Sequence, residues 1–365
     1  MTLIVTVIVV ALAFEYINGF HDTANSIATV VSTKVLTPRQ AVVLAAATNL
    51  FGALLGTAVA KTITGGLVDA NLVSISSNII VCTLLGAIAW NLITWWHGLP
   101  SSSSHALIGG LCGAALAAGH DHWNVIIWSQ PSAVHWYLGK GLLWKVIVPM
   151  FLSPLLGFIG GFVLMALLYL GLHRNKPSKI NAFFGVTQIF SAGAMGIMHG
   201  TNDAQKTMGI IALALLSATK AGNFDHLPAW LGFLRTSTPI KGDLEIAAWI
   251  KVLCALTMAS GTAVGGWRII KTMGHKMVKL HPINGFAAEA SSASVIGLAS
   301  ILGIPVSTTH NIAASIMGVG CAKRFNAIKW TVVERMMWAW VLTIPAAGAI
   351  SYGLVRLLQT FGWIS

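Results

Sequence analysis

Two aspartates stand inside segments that are otherwise strongly apolar. Asp22 lies in N-G-F-H-D-T-A-N-S (Asn18 to Ser26), and Asp203 lies in H-G-T-N-D-A-Q-K-T (His199 to Thr207). An aspartate near the centre of a membrane span costs at least about 2.5 kcal/mol on insertion scales, so each is expected to have a partner or a task. A carboxylate in that setting holds Na⁺ beside freed backbone carbonyls, or takes up a proton when burial disfavours its charged form. A second pair of motifs offers the opposite chemistry: P-S-S-S-S-H (Pro100 to His105) and P-V-S-T-T-H (Pro305 to His310). Hydroxyls that follow a proline and precede an apolar helix place O–H and unpaired N–H groups at a helix N-terminus, which binds oxyanions without a full positive charge. One such run alone reads as a helix cap. Two matched runs ending in the same histidine read as a pair of anion-binding loops, with His105 and His310 either supporting the site or hydrogen-bonded within the bundle.

The elements that must position these motifs repeat. Gly19 and Asp22 match Gly200 and Asp203, while Pro100, Ser102 and His105 match Pro305, Ser307 and His310. Around them each half shows the same order of apolar pieces. The approximate limits are 2–19, 23–34, 40–60, 78–97, 103–119 and 143–171, then 181–199, 204–219, 246–265, 285–302, 308–322 and 335–360. The expectation is an all-α polytopic membrane protein of two inverted-topology repeats, with broken or re-entrant helices and about 10–12 membrane helices. The first repeat covers residues 1–172, a short cytoplasmic connector 173–180, and the second repeat 181–365. Interruptions at the two Asp motifs are expected to mark the site. The basic clusters His173 to Lys179, Arg268 to Lys279 and Lys323 to Arg335, supported by Lys34 and Arg39, are expected inside. Each half then crosses an odd number of times and both termini face the periplasm. Whether the helix pairs at the Pro/Ser motifs span or re-enter stays open.

Composition closes off other classes. Of 365 residues 56% are hydrophobic and only 9% charged, with a mean hydropathy of +0.77, whereas soluble domains run near 25% charged. The net charge of +12 sits in short loops between apolar stretches, which reads as cytoplasmic loops rather than a nucleic-acid surface. Cys82, Cys112, Cys254 and Cys321 stand singly, form no C-x-x-C pair, and read as packing residues. Thr2 to Asn18 has no basic n-region and no small-residue cleavage site, so it reads as a retained span. Gly109, Gly110 and Gly113 read as close helix packing.

Taken together, the four motifs resemble the inorganic phosphate transporter family, in its bacterial low-affinity form. G-F-H-D-T-A-N-S and H-G-T-N-D-A-Q-K are similar to its two signatures, and G-G-W-R-I-I-K-T-M-G, G-F-A-A-E-A and G-I-P-V-S-T-T-H to its C-terminal half. The resemblance implies a symporter importing inorganic phosphate across the bacterial cytoplasmic membrane, a multi-pass protein in the lipid bilayer with no enzymatic step and no cofactor. It implies phosphate contacts at Asn25, Ser102, Ser103, Ser104, Gln205, Ser307, Thr308 and Thr309, and ion coupling at Asp22 and Asp203, with His21, His105, Asn202 and His310 in support. His21, Gln205 and Lys206 depart from the sodium-linked pattern toward the proton-linked or metal-phosphate branch, so H⁺ is the favoured coupling ion and Na⁺ the alternative. A metal-phosphate complex as cargo, a metal site and a homo-oligomer are left open. Two rivals stand beside this reading: a divalent metal transporter ligated by His21, Asp22, His105, His199, Asp203 and His310, and an intramembrane Ser/His hydrolase, for which no pair carries a signature.

Overall fold

A computed structural model describes residues 2–60, 67–69, 72, 76–132, 139–225, 228–236 and 245–363. The first half holds α1 (Thr2–Ser32), α2 (Pro38–Ala53), α3 (Ser77–His97), α4 (Ser103–Ala118) and α5 (Val148–Leu172). The second holds α6 (Pro177–Lys220), α7 (Ala248–Val264), α8 (Trp267–Lys271), α9 (Pro282–Ile301), α10 (Thr308–Lys323) and α11 (Trp330–Thr360). Extended structure among the described residues amounts to two isolated bridges, Val68 with Ile126 and Gln130 with Lys140. The fold is all-helical, as the apolar periodicity requires.

Among the described residues five helical segments are long and apolar enough to cross a membrane: Thr2–Ser32, Ser77–His97, Leu143–Leu172, Pro177–Lys220 and Trp330–Thr360. A sixth candidate is a bent pair, Ala248–Val264 with Trp267–Lys276, which turns by 57° where Gly265 adopts φ +77°. Residues 267–276 are therefore helical where the sequence suggested a basic loop. Burial runs opposite to that of a soluble protein. Phe190, Leu170 and Ile301 are 73%, 71% and 80% exposed, while a long series of polar side chains is buried; water would penalise such a surface and lipid favours it.

The main helix pairings come in corresponding sets. Helix α1 packs on α7 as α6 packs on α2, α4 on α11 as α10 on α5, and α1 on α3 as α6 on α9. The motif glycines make the first of these possible: a methyl at Gly19 would meet the backbone at Met258 and Thr262 of α7, and one at Gly200 would meet Asn49 of α2. The stripe Gly109 and Gly113 likewise lies against Ile344 and Gly348 of α11, as expected for close packing. Cys82, Cys112 and Cys254 are buried free thiols and Cys321 is a partly exposed one.

One expectation fails. The Asp motifs do not break their helices, because α1 runs unbroken through Asp22 and α6 runs unbroken through Asp203 for 44 residues. Side chains of neighbouring helices satisfy the polar groups, so the backbone ladder has no reason to open. The breaks lie at the Pro/Ser motifs. There α3 ends in a left-handed Gly98 and α9 is followed by Gly303 at φ +65°, before α4 and α10 restart. Each of these two is 16 residues, which at 1.5 Å per residue is about 24 Å, shorter than the roughly 30 Å hydrocarbon layer.

The basic clusters gather at one end. His173, Asn175, Pro177, His281 and Lys323 line a single cleft, Lys329 N donates to Met277 O at 3.0 Å, and the Arg268 guanidinium lies 4.3 Å from the Trp96 ring centre while donating to Trp96 O. At the other end Arg356 pairs with Asp121 and Asn78 Nδ2 donates to Trp363 O at 3.2 Å.

Candidate functional site

The N-termini of α4 and α10 meet in the interior. The rings of His105 and His310 approach edge to face at 4.9 Å, and His310 stacks on Trp340 at 4.2 Å, whose Nε1 donates to Pro100 O at 2.9 Å. Ser102 and Ser307 act as N-caps, each Oγ accepting from the backbone N–H of His105 or His310 at 3.2 Å; their own O–H protons stay available as donors. The hydroxyls one and two residues further on, Ser103, Ser104, Thr308 and Thr309, are all buried beside these helix ends.

Against these ends lie α1 and α6, carrying the carboxylates. Asp22 Oδ1 is 2.6 Å from His21 Nδ1 and accepts from Thr309 Oγ1 at 3.3 Å; His21 Nε2 is 3.2 Å from Thr94 Oγ1. Asp203 Oδ2 is 3.1 Å from His199 Nε2 and accepts from Thr308 Oγ1 at 2.9 Å, while its Oδ1 receives Lys206 Nζ. Asn25 Nδ2 donates to Thr309 at 2.9 Å and to Thr308 at 3.2 Å. Thr308 thus ties the first-half motif to the second-half carboxylate. Ligand atoms of Asp22, His199 and Asp203 lie within 4.8 Å of one another, an N/O set compatible with a divalent cation. The whole cluster is buried, so no water screens its charges.

Most residues expected from sequence meet here, but Gln205 does not. Its Oε1 accepts from Val59 N at 2.7 Å and its Nε2 donates to Thr201 O at 2.6 Å, which commits the amide to the helical residues 58–60 beyond α2 and to its own helix. Asn202 donates to Ser300 Oγ at 3.0 Å, on α9. Sequence reasoning left out Lys206, which belongs to the site, and two buried glutamates: Glu15, which accepts from Thr207, and Glu289, which accepts from Thr29, Ser191 and Gln188. The signal was present for all three, since any charge inside an apolar span carries the cost argued for Asp22.

Residues 18–351 match the phosphate transporter family. The chain belongs to that family. A Bacillus subtilis protein named "Probable low-affinity inorganic phosphate transporter" is 42% identical over 98% of this chain and 98% of its own length. A Rhizobium meliloti protein of the same name is 42% identical over 96% and 94%. Among solved structures, one titled "The sodium-dependent phosphate transporter" superposes over 99% of this chain and 100% of its own with a TM-score of 0.82 at 22% identity, a likeness that speaks to the fold. Membership makes the chain a multi-pass membrane protein of a non-enzymatic transporter class whose substrate is phosphate.

Proposed function

We propose that the chain is a secondary symporter that brings inorganic phosphate into the cell, driven by protons, through two inverted repeats working by alternating access. The observation that carries this reading is the meeting of two short-helix N-termini, with their hydroxyls, against one aspartate from each half. Positive helix ends and O–H donors suit an oxyanion, the carboxylates suit the driving cation, and the paired packing of the halves offers two arrangements around one buried centre. Ser103 and Ser104, whose O–H protons are donated to no partner among the described residues, are the phosphate-facing donors in this reading, with Asn25, Thr308 and Thr309 beside them, and the driving ion acts at the aspartates Asp22 and Asp203. The basic end faces the cytoplasm of a bacterial inner membrane and both termini face the periplasm. Purified protein in liposomes, supplied with labelled phosphate, should accumulate it under an imposed pH gradient without sodium. Uptake that requires Na⁺ at every pH overturns the proton assignment.

A second reading rests on Asp22, His199 and Asp203: phosphate enters as a neutral divalent-metal complex, the metal sharing this N/O set. Phosphate uptake that stops on removal of divalent cations, and metal uptake that stops without phosphate, would favour it. Metal uptake that persists without phosphate would point instead to a plain metal transporter.

A further inference from the structure

The two halves are matched in sequence but not in charge. Aligning Asp22 with Asp203 sets Asn25 against Lys206 and Ser26 against Thr207; aligning Pro100 with Pro305 sets Ser103 against Thr308 and Ser104 against Thr309. The contacts follow the same correspondence. Asn25 Nδ2 donates to Thr309, and Lys206 Nζ donates to Ser104. In the second half, however, the donor is an ammonium. It is 3% exposed and held among three oxygens, those of Asp203, Ser104 and, at 3.2 Å, Val306 O. An ammonium has three N–H donors, and all three are used. A carboxylate, a hydroxyl and a backbone carbonyl are also the oxygen types that hold a small monovalent cation in broken-helix transporters.

The first half is left with the reverse. Asn25 Oδ1, Ser26 Oγ and Ser103 Oγ are buried with no hydrogen-bond partner among the described residues. Their counterparts all have one: Lys206 as above, Thr207 with Glu15, and Thr308 with Asp203. Buried polar atoms without partners are disfavoured, and three of them, two on the face of α1 that carries Asp22 and one at the N-terminus of α4, mark a place for a ligand. From this asymmetry we infer that Lys206 is a tethered cation that fills the second half of the site permanently, so that Asp203 holds the ammonium in place of a travelling ion, the coupling ion is left to Asp22, and each phosphate travels with one coupling cation fewer than two matched carboxylate halves would hold.

This rests on the phosphate-symport reading, and its test separates the two. Lys206→Asn installs in the second half the residue of the first. Phosphate binding to the purified variant is measured by calorimetry over a series of Na⁺ concentrations with N-methylglucamine as replacement. With Na⁺ as the probe of the emptied site whichever cation drives the parent, the slope of log Kd against log[Na⁺] should be steeper than the parent's by one, an extra gain in affinity of about tenfold for each tenfold rise in Na⁺ below saturation, the linkage expected of one added site. Lys206→Arg, which keeps the charge, should retain the parent slope. A Lys206→Asn slope equal to the parent's overturns the inference. Should the variant not fold, the reversal potential of the parent in liposomes decides: one coupling cation per phosphate supports the tethered cation, and two or more overturn it. A parent that binds no phosphate at all overturns the transport reading itself.

Discussion

Ser103→Ala should separate affinity from stability. Ser103 opens α4, yet the cap of that helix is Ser102, and the Ser103 hydroxyl is buried with no partner among the described residues. Removing it breaks no hydrogen bond within the protein, and deleting an unsatisfied buried group is neutral or mildly favourable. The ligand-free protein should therefore melt within about 0.5 kcal/mol of the parent, the range of substitutions that disturb no packing or pairing. Phosphate is a charged acceptor, and a hydrogen bond to a charged group contributes about 1.5–3 kcal/mol. At 1.4 kcal/mol per factor of ten, Kd for phosphate should rise about 10- to 150-fold. Calorimetry reads this directly. Thermal unfolding gives an independent check, because at fixed phosphate the protection falls as RT ln(1 + [L]/Kd). Parent-like affinity would refute the assignment of these hydroxyls to the anion. Lower melting of the ligand-free protein at unchanged affinity would refute it as well, since Ser103 would then be a structural residue.

Thr308→Ala, at the matched position, should fail the other way: it deletes a bond to Asp203 and one from Asn25, worth together about 2–4.5 kcal/mol, so ligand-free unfolding should show the loss before any binding assay. Asp22→Asn should abolish gradient-driven accumulation by removing the ion's carboxylate, and Asp203→Asn should abolish it by leaving Lys206 without its counter-charge at the centre of the site. Asp203→Asn should also lower the melting temperature more, because it strands the buried Lys206 charge, and breaking a buried pair costs about 3–5 kcal/mol; Lys206→Met added to Asp203→Asn should restore part of that. Single cysteines at Lys176, Lys276 and Lys329, in a cysteine-free background, should resist an impermeant reagent applied to intact spheroplasts, while those at Asp121 and Asp225 react; labelling at 176 or 276 from outside would overturn the proposed orientation. His281, at the start of α9 outside the apolar core, is held below its ordinary 6.5 by partial burial and then by Lys323 and Lys279. The unfolded chain therefore binds more protons between the folded value and 6.5, so stability rises with pH through that window and is lost as pH falls through it; the melting temperature should drop on acidification, and less so in His281→Gln.

The apolar stretches and the matched motifs foretold which segments meet, and the central cluster of Asp22, Asp203, Thr308 and Thr309 is largely the one those motifs imply. Two misses lie in the second Asp motif, and helical spacing accounts for both. Gln205 entered the site through its place in the second signature, and Lys206 was noted as a departure from the sodium-linked pattern but given no role in the site. In a continuous helix, residues three and four apart share a face and residues two apart do not. On that spacing Asp203 shares its face with His199 and Lys206, both of which it contacts, and Gln205 turns toward Val59. The same spacing puts Asn25 and Ser26 on the face of Asp22. Gly19 and Gly200 do not open their helices; they let α7 and α2 approach to backbone contact, a role that depends on a partner helix distant in sequence. The identity of those partners, like the Ser104 oxygen that receives Lys206 from another half of the chain, is a property of the packed bundle, and only the three-dimensional arrangement turns a lysine in an apolar span from an anomaly into a fixed charge at the centre of the site.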